Sequence, residues 1–274
     1  IQYGEQSHWM GFALAAALGQ IGLPGGGIGT NYAYSNGGTP MAYGPFLGGI
    51  SSSVKPVKAS TLPWKGSKVI PVARFADCFA NPGKVIDFNG TKVTYPEVRL
   101  VMWAGGNPFA HQPDTMNLER AWKKPETVIV TDTVWTATAR HAAIVLPAAT
   151  AFEHADITNI GTYSNDGIVA MQQAIEPQWE SKSDYWIFSQ LAEHLGCQEA
   201  FTEGLDEMGW IRRLYGDAQK MGERIGVKLP NFEDFWKKGY VLFDVREKDR
   251  KFVAFEDFRK DPKAHSLDTE SGLI

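Results

Sequence analysis

Val98-Arg99-Leu100-Val101-Met102-Trp103-Ala104-Gly105-Gly106-Asn107-Pro108 opens the stretch that decides the fold, and Val128-Ile129-Val130-Thr131-Asp132 closes it. Between them, Asp114 to Lys124 has helical spacing. Met116 or Leu118, Ala121 and Trp122 form an apolar stripe, and Lys123 and Lys124 suit the negative end. A strand, a glycine turn, a helix and a parallel strand ending in a carboxylate predict half of a dinucleotide site.

The chemistry of that unit follows from its residue types. Gly105 and Gly106 remove the side chains that would keep a bulky ligand off the backbone, and they permit unusual φ values. Asn107 brings a short amide that caps a turn or pairs with a ligand, and Pro108 cannot continue a central strand. The start of the Asp114 helix offers a position for a phosphate. Asp132 lies 25 positions after Asn107, near the roughly 20-residue offset at which such folds set an acid over a nucleoside. An ionised carboxylate only accepts, so it can take both a ring N–H and an exocyclic amine from guanine. Spacing alone leaves the plain alternatives open: a Gly-Gly-Asn-Pro stretch is also an ordinary turn, and an aspartate after a strand is also a cap or a solvated charge.

The whole chain sets the bounds. Its 274 residues can form one large domain or two smaller ones. With 27 basic and 31 acidic residues the net charge is −4, without the basic footprint of a nucleic-acid binder. Two cysteines, Cys78 and Cys197, argue against a disulfide framework and against a cysteine-built zinc or iron–sulfur site. The start at Ile1 and the stop in the apolar run ending at Ile274 read as an excised piece.

No Asp, Glu, Lys or Arg stands between Glu5 and Lys55. Trp9 to Leu23 reads as an apolar helix too short to span a membrane. Thr30 to Ser53 has a composition for irregular backbone, yet Tyr32, Tyr34, Tyr43 and Phe46 disfavour disorder, so this segment is expected to lie against a bulky ligand or other domains.

Ile70 to Phe79 predicts a short helix after Pro71, and Val85 to Tyr95 a hairpin turned at Asn89-Gly90. Thr136 to Arg140 makes a short turn or helix, and Ala143 to Leu146 a third buried strand, which implies a parallel sheet. Glu153 to Asp156 reads as a helix start or a solvated loop. As a loop leaving a parallel strand, it also makes His154 a candidate phosphate or base contact. A hairpin is expected within Gly161 to Ile175, turned at Asn165-Asp166-Gly167. Ser183-Asp184 opens an amphipathic helix stopped by Gly196, where either residue is ordinarily a cap. Beyond it, helices are expected from Leu205 to Ile225 and from Asn231 to Lys238, with a strand at Tyr240 to Phe243.

The familiar catalytic patterns are missing. The chain has no Gly-x-Ser-x-Gly elbow, no Gly-x-x-x-x-Gly-Lys-Ser/Thr loop and no His-Glu-x-x-His pair. Its six histidines are scattered without metal-ligand spacing. His111, beside the expected phosphate position, has the best claim among them.

Several longer runs carry a resemblance. Gly4-Glu5-Gln6, Leu18-Gly19-Gln20-Ile21-Gly22-Leu23-Pro24-Gly25-Gly26-Gly27, Trp103-Ala104-Gly105-Gly106-Asn107-Pro108-Phe109, Trp135-Thr136-Ala137-Thr138-Ala139-Arg140 and Ile144-Val145-Leu146-Pro147 closely resemble the dimethyl sulfoxide reductase family of molybdenum enzymes. The resemblance lies with the branch of trimethylamine-N-oxide and biotin sulfoxide reductases and covers nearly the whole chain.

It implies an α/β fold with a parallel-sheet, Rossmann-like dinucleotide-binding core and extra helices. Residues 1–95 would be part of an α/β domain with a long uncharged loop, 96–197 the molybdopterin-guanine-dinucleotide-binding core, and 198–274 a helical appendage. The terminal parts of the parent enzyme would lie outside the chain. It further implies a bis(molybdopterin guanine dinucleotide) molybdenum cofactor and reduction of N-oxides or S-oxides by oxygen-atom transfer.

In this reading Asn107 and His111 contact one dinucleotide, Thr131 and Asp132 hold its guanosine end, and His154 and Asp184 add further contacts. The family commonly shows Arg-Asn where His154-Ala155 stands, and often a second histidine in place of Ala110. No catalytic residue and no metal ligand is assigned within the chain, because the molybdenum-ligating serine of this branch belongs to a segment before Ile1. An electron donor such as a c-type cytochrome, and export to the periplasm rather than a cytoplasmic location, are implied by resemblance only. Two other readings stand beside it: a nicotinamide-dependent dehydrogenase using Gly105-Gly106-Asn107 as a degenerate phosphate loop, and a non-enzymatic interaction module docking through its uncharged first part.

Overall fold

The computed structural model describes residues 4–29, 40–49, 70–88, 91–161 and 164–274. α1 (Glu5–Ala17) starts earlier than its apolar residues suggest and stops at Gly19, whose φ of 67° no continuing helix accommodates. A 3₁₀ turn, Val72–Arg74, follows Pro71 and leads into α2 (Phe75–Ala80). β1 (Val85–Phe88) and β2 (Thr91–Thr94) pair antiparallel, as the hairpin reading required, while Asn89 and Gly90 lie outside the described residues.

The deciding stretch folds as β3 (Leu100–Ala104), α3 (Pro108–His111), α4 (Thr115–Trp122) and β4 (Thr127–Asp132), followed by β5 (Ile144–Pro147). Then come β6 (Asp156–Ile160), β7 (Gly167–Met171), α5 (Asp184–His194), α6 (Gln198–Thr202), α7 (Glu207–Arg224), α8 (Phe232–Lys238), β8 (Tyr240–Leu242) and α9 (Glu256–Lys260). The protein is therefore mixed α/β.

β3, β4 and β5 form a parallel sheet in that order, with Ala104 opposite Thr131 and Asp132 opposite Pro147. The three carboxyl ends thus finish in step. Val128 and Val130 are buried from β4, and Leu118, Ala121 and Trp122 cover them from α4 together with Phe79 of α2. Trp122 is the centre of this core: Phe75, Phe79, Trp103 and Phe109 lie with ring centroids 5.2–6.3 Å from it, and its indole N–H donates to the carbonyl of His141 at 3.0 Å. Each such fully buried apolar side chain contributes about 1.5–3 kcal/mol relative to exposure.

The chain divides into two compact units. One comprises Ile50–Asp156 and Gln172–Trp210 and holds the parallel sheet; the other comprises Ile1–Gly49, Ile157–Met171 and Ile211–Ile274. In the second unit β6, β7 and β8 form a sheet in that order, with β7 and β8 antiparallel, and Tyr215 stacks on Phe235 at 4.2 Å.

Two segments find their partners here. Residues 40–49, the described part of the Thr30 to Ser53 segment outside its ends, are held by their own unit: Ala42 N–H donates to Ser164, Tyr43 N–H to Asp244, and Leu47 N–H to the Asn159 side chain. The remainder of that segment lies outside the described residues. The hairpin expected within Gly161 to Ile175 takes its first arm from β6 instead, and the turn is made by Gly161 at φ 62° and Asn165 at φ 53°. Asn165 is buried and donates to the Gly44 carbonyl at 2.8 Å, which fixes the turn from outside the hairpin.

Candidate functional site

β3 and β4 deliver Gly105 and Asp132 to the carboxyl edge of the parallel sheet, where open sheets bind ligands. Gly105 and Gly106 adopt φ of 71° and 79°, and a β-carbon at Gly105 would meet nothing within 4 Å. The turn is therefore open as well as left-handed. A β-carbon at Gly106 would lie 3.9 Å from the His111 ring, so the exposed His111 stands beside this turn at the end of α3.

The expected phosphate position at the start of α4 is corrected. Asp114 caps that helix, its carboxylate accepting from the Asn117 N–H at 3.1 Å, so one of the terminal donors is taken and a carboxylate stands where the phosphate would sit.

One loop holds both polar residues of the edge. Asn107 Oδ1 accepts from the backbone N–H of Thr138 at 3.3 Å and from its hydroxyl at 2.6 Å. Asp132 accepts the N–H of Thr133 on Oδ1 and the Thr136 hydroxyl on Oδ2, each at 2.8 Å. The two threonine hydroxyls are themselves oriented, because Thr136 Oγ1 accepts from the Ala139 N–H at 3.1 Å and Thr138 Oγ1 from the Phe109 N–H at 3.4 Å. Thr138 is fully buried.

A second link joins β4 to α5. Thr131, buried, donates its hydroxyl to Asp184 Oδ1 at 3.0 Å. Asp184 reaches this position because Ala148 bridges Lys182 in parallel at the end of β5, and because Ser183, not Asp184, caps α5 by accepting from the Trp186 N–H. Asp184 is thus free of the capping duty that the sequence allowed it.

His154 lies elsewhere in the same unit. It lines a cavity of about 850 Å³ with Lys182, Ser183, Tyr185, Trp186 and Glu207, and its Nδ1 is 3.1 Å from the Ala155 carbonyl. Its neighbour Glu153 is not the solvated acid expected from the sequence. Glu153 is 5% exposed and accepts backbone N–H groups from Thr150 and Gln178, both at 2.7 Å. Those hydrogen bonds, the one from Thr150 foremost, hold its carboxyl below the ordinary glutamate range.

Asn107, Asp132, Thr131 and Asp184 are brought to one sheet edge, His111 flanks it, and His154 lines the cavity. Thr136 and Thr138 were not among the expected site residues. Their one signal was the Trp135-Thr136-Ala137-Thr138-Ala139-Arg140 run, which no spacing rule distinguishes from a polar loop. Among the described residues, no cluster of three or more His, Cys, Asp or Glu is arranged to hold a metal ion, and no helix is long and apolar enough to cross a membrane.

Known proteins bear on this geometry. The chain is 53% identical to dimethyl sulfoxide/trimethylamine N-oxide reductase of Cereibacter sphaeroides over 275 aligned residues, covering 100% of this chain and 33% of that protein. It is 51% identical to the enzyme of the same description from Rhodobacter capsulatus, over 100% of this chain and 33% of that protein. With trimethylamine-N-oxide reductase of Haemophilus influenzae it shares 46% identity, over 100% of this chain and 34% of that protein. The chain spans about a third of the length of these curated relatives. Among solved structures, acetylene hydratase from Pelobacter acetylenicus matches with a TM-score of 0.44 at 20% identity, over 66% of this chain and 22% of that one, too distant a likeness to bear on fold or function. A family model described as Molybdopterin oxidoreductase matches residues 2–194. The chain that carries this sheet edge belongs to the molybdopterin oxidoreductase family.

Proposed function

We propose that this chain forms the dinucleotide-binding portion of a molybdenum reductase that removes oxygen from N-oxides or S-oxides, and that the parallel sheet is its Rossmann-like core. The observation that carries the reading is the juxtaposition of Asn107 and Asp132 on one edge through a single loop. Relatives named as dimethyl sulfoxide and trimethylamine-N-oxide reductases, matching over the whole chain, supply the substrate class.

The residues fit a molybdopterin guanine dinucleotide. The Gly105 turn leaves open space where a side chain would stand, as close approach of a pyrophosphate requires. Asp132 and Asp184 offer acceptors to the two N–H groups of a guanine edge, and Asn107 and His111 offer donors to phosphate oxygens. When bound, the molybdenum cofactor supplies the redox chemistry of oxygen-atom removal; this part of the protein binds and orients its nucleotide tail. His154, in its own cavity, is the outer contact of the set. No catalytic residue is assigned to this chain. A c-type cytochrome is proposed as electron donor and the periplasm as location.

Native purification of the complete protein, followed by metal and nucleotide analysis, tests the reading. Molybdenum with guanine nucleotide released on mild hydrolysis is the expected result. Absence of both metal and pterin rejects it.

A further inference from the structure

We propose that Thr136 and Thr138 are polarity-setting residues, which fix Asn107 as a hydrogen-bond donor and Asp132 as an acceptor toward the nucleotide. The inference rests on the proposed nucleotide site and goes beyond it by assigning a direction to each contact and a cause to that direction.

The amide of an asparagine has an oxygen end and an NH₂ end that exchange places by a half-turn. Here the choice is forced. The backbone N–H of Thr138 cannot reverse its polarity, and it points at Asn107 from 3.3 Å, so the atom it meets is Oδ1. The Thr138 hydroxyl has a fixed direction too: its oxygen already accepts from the Phe109 N–H at 3.4 Å, so its proton goes to Asn107 Oδ1 at 2.6 Å. Two donors on the oxygen leave Nδ2 as the end that Asn107 offers a ligand. That end recognises an acceptor such as a phosphate or carbonyl oxygen.

The same arrangement repeats at Thr136. Its oxygen accepts from the Ala139 N–H at 3.1 Å, so its proton goes to Asp132 Oδ2 at 2.8 Å, while Thr133 N–H holds Oδ1. Donors on both oxygens orient the carboxylate, and a carboxylate can only accept. A purine edge bearing two donors, as guanine does, matches it; hypoxanthine, lacking the exocyclic amine, offers one fewer.

Nucleotide binding to the complete protein freed of its cofactor tests the proposal, with GDP and IDP as probes in titration calorimetry. Asn107→Asp keeps an oxygen for Thr138 but replaces the donor end by an acceptor, so GDP affinity is expected to fall at least about tenfold with the ligand-free melting temperature unchanged. Thr138→Val, which keeps the backbone N–H but removes the hydroxyl, should give a smaller loss, and Thr138→Ser should restore binding. Thr136→Val should lower the preference for GDP over IDP, a ratio that a merely structural role would leave alone. Undiminished GDP binding by Asn107→Asp, or an unchanged GDP-to-IDP ratio in a folded Thr136→Val protein, overturns the proposal. Failure of the unmodified protein to bind either nucleotide instead overturns the site on which it rests.

Discussion

Thr138 Oγ1 stands 2.6 Å from Asn107 Oδ1, joining residues 31 positions apart in the segments that follow β4 and β3. The contact turns two loops into one object. The loop after β4 and the residue after the Gly105-Gly106 turn are thus held to each other by two hydrogen bonds.

Asp132→Asn should weaken retention of guanosine in the complete protein. The substitution preserves shape but exchanges one ionised acceptor oxygen for a donor, and hydrogen bonds to charged groups contribute about 1.5–3 kcal/mol, a loss of roughly ten- to a hundredfold in affinity. The ratio of guanine released to molybdenum bound measures it. Full guanine occupancy would contradict the assignment.

Leu118→Ala should destabilise the unit that holds the parallel sheet without touching the edge. Leu118 is completely buried against Val128, Val130 and Trp122. Removing its methyl groups costs about 2–5 kcal/mol, depending on how far the site collapses. Chemical denaturation reads this as a lower midpoint with an unchanged slope.

Asp114→Ala should cost about 0.5–2 kcal/mol, the usual loss for an N-cap, whereas Asp114→Asn should be nearly neutral because asparagine caps as well and tolerates the φ of 55° found there. Nucleotide content should stay the same in both. A fall in bound guanine for the asparagine variant would return the phosphate to the start of α4, against the geometry.

Glu153 predicts an acid limit to stability. Its folded carboxyl lies below the ordinary value of 4.5, held there by the N–H groups of Thr150 and Gln178. A carboxylate with a depressed pKa contributes stability that is fully present above its unfolded value and is lost as pH falls through the folded one. Glu153→Gln should therefore lower the melting temperature at pH 7 and flatten its decline as pH falls below the ordinary glutamate value of 4.5. Parallel declines in both proteins would show that Glu153 is not the group responsible.

The parallel sheet was legible because Leu100 to Trp103, Val128 to Val130 and Ala143 to Leu146 are continuous apolar runs, as parallel strands tend to be, although β5, expected to be buried, has no buried residue and exposes Ile144. The helix between the first two was legible from its stripe. The threonine loop was not, since Thr136 and Thr138 act through hydrogen bonds to residues distant in sequence and follow no period. β6 escaped because Asp156, Thr158 and Asn159 interrupt its apolar residues; Asn159 is satisfied by the backbone of Leu47, a partner no local pattern reveals. Glu153 escaped for the same reason: its acid is paid in backbone N–H groups rather than in solvent. Asp114 was read within the helix but its carboxylate occupies the terminus, a question of geometry rather than of residue type.

The interleaving of the two units along the chain imposes a timetable on synthesis. The second unit cannot close until the ribosome has passed Ile211, whereas its first stretch has emerged by Gly49. At about 5–20 residues per second, that opening segment waits roughly ten to thirty seconds with Ala15, Ile21 and Ala42, which the folded unit buries, still unshielded. Nascent α1 is thus the place where a chaperone would be needed, and slowing translation after Gly49 would lengthen the hazard rather than relieve it.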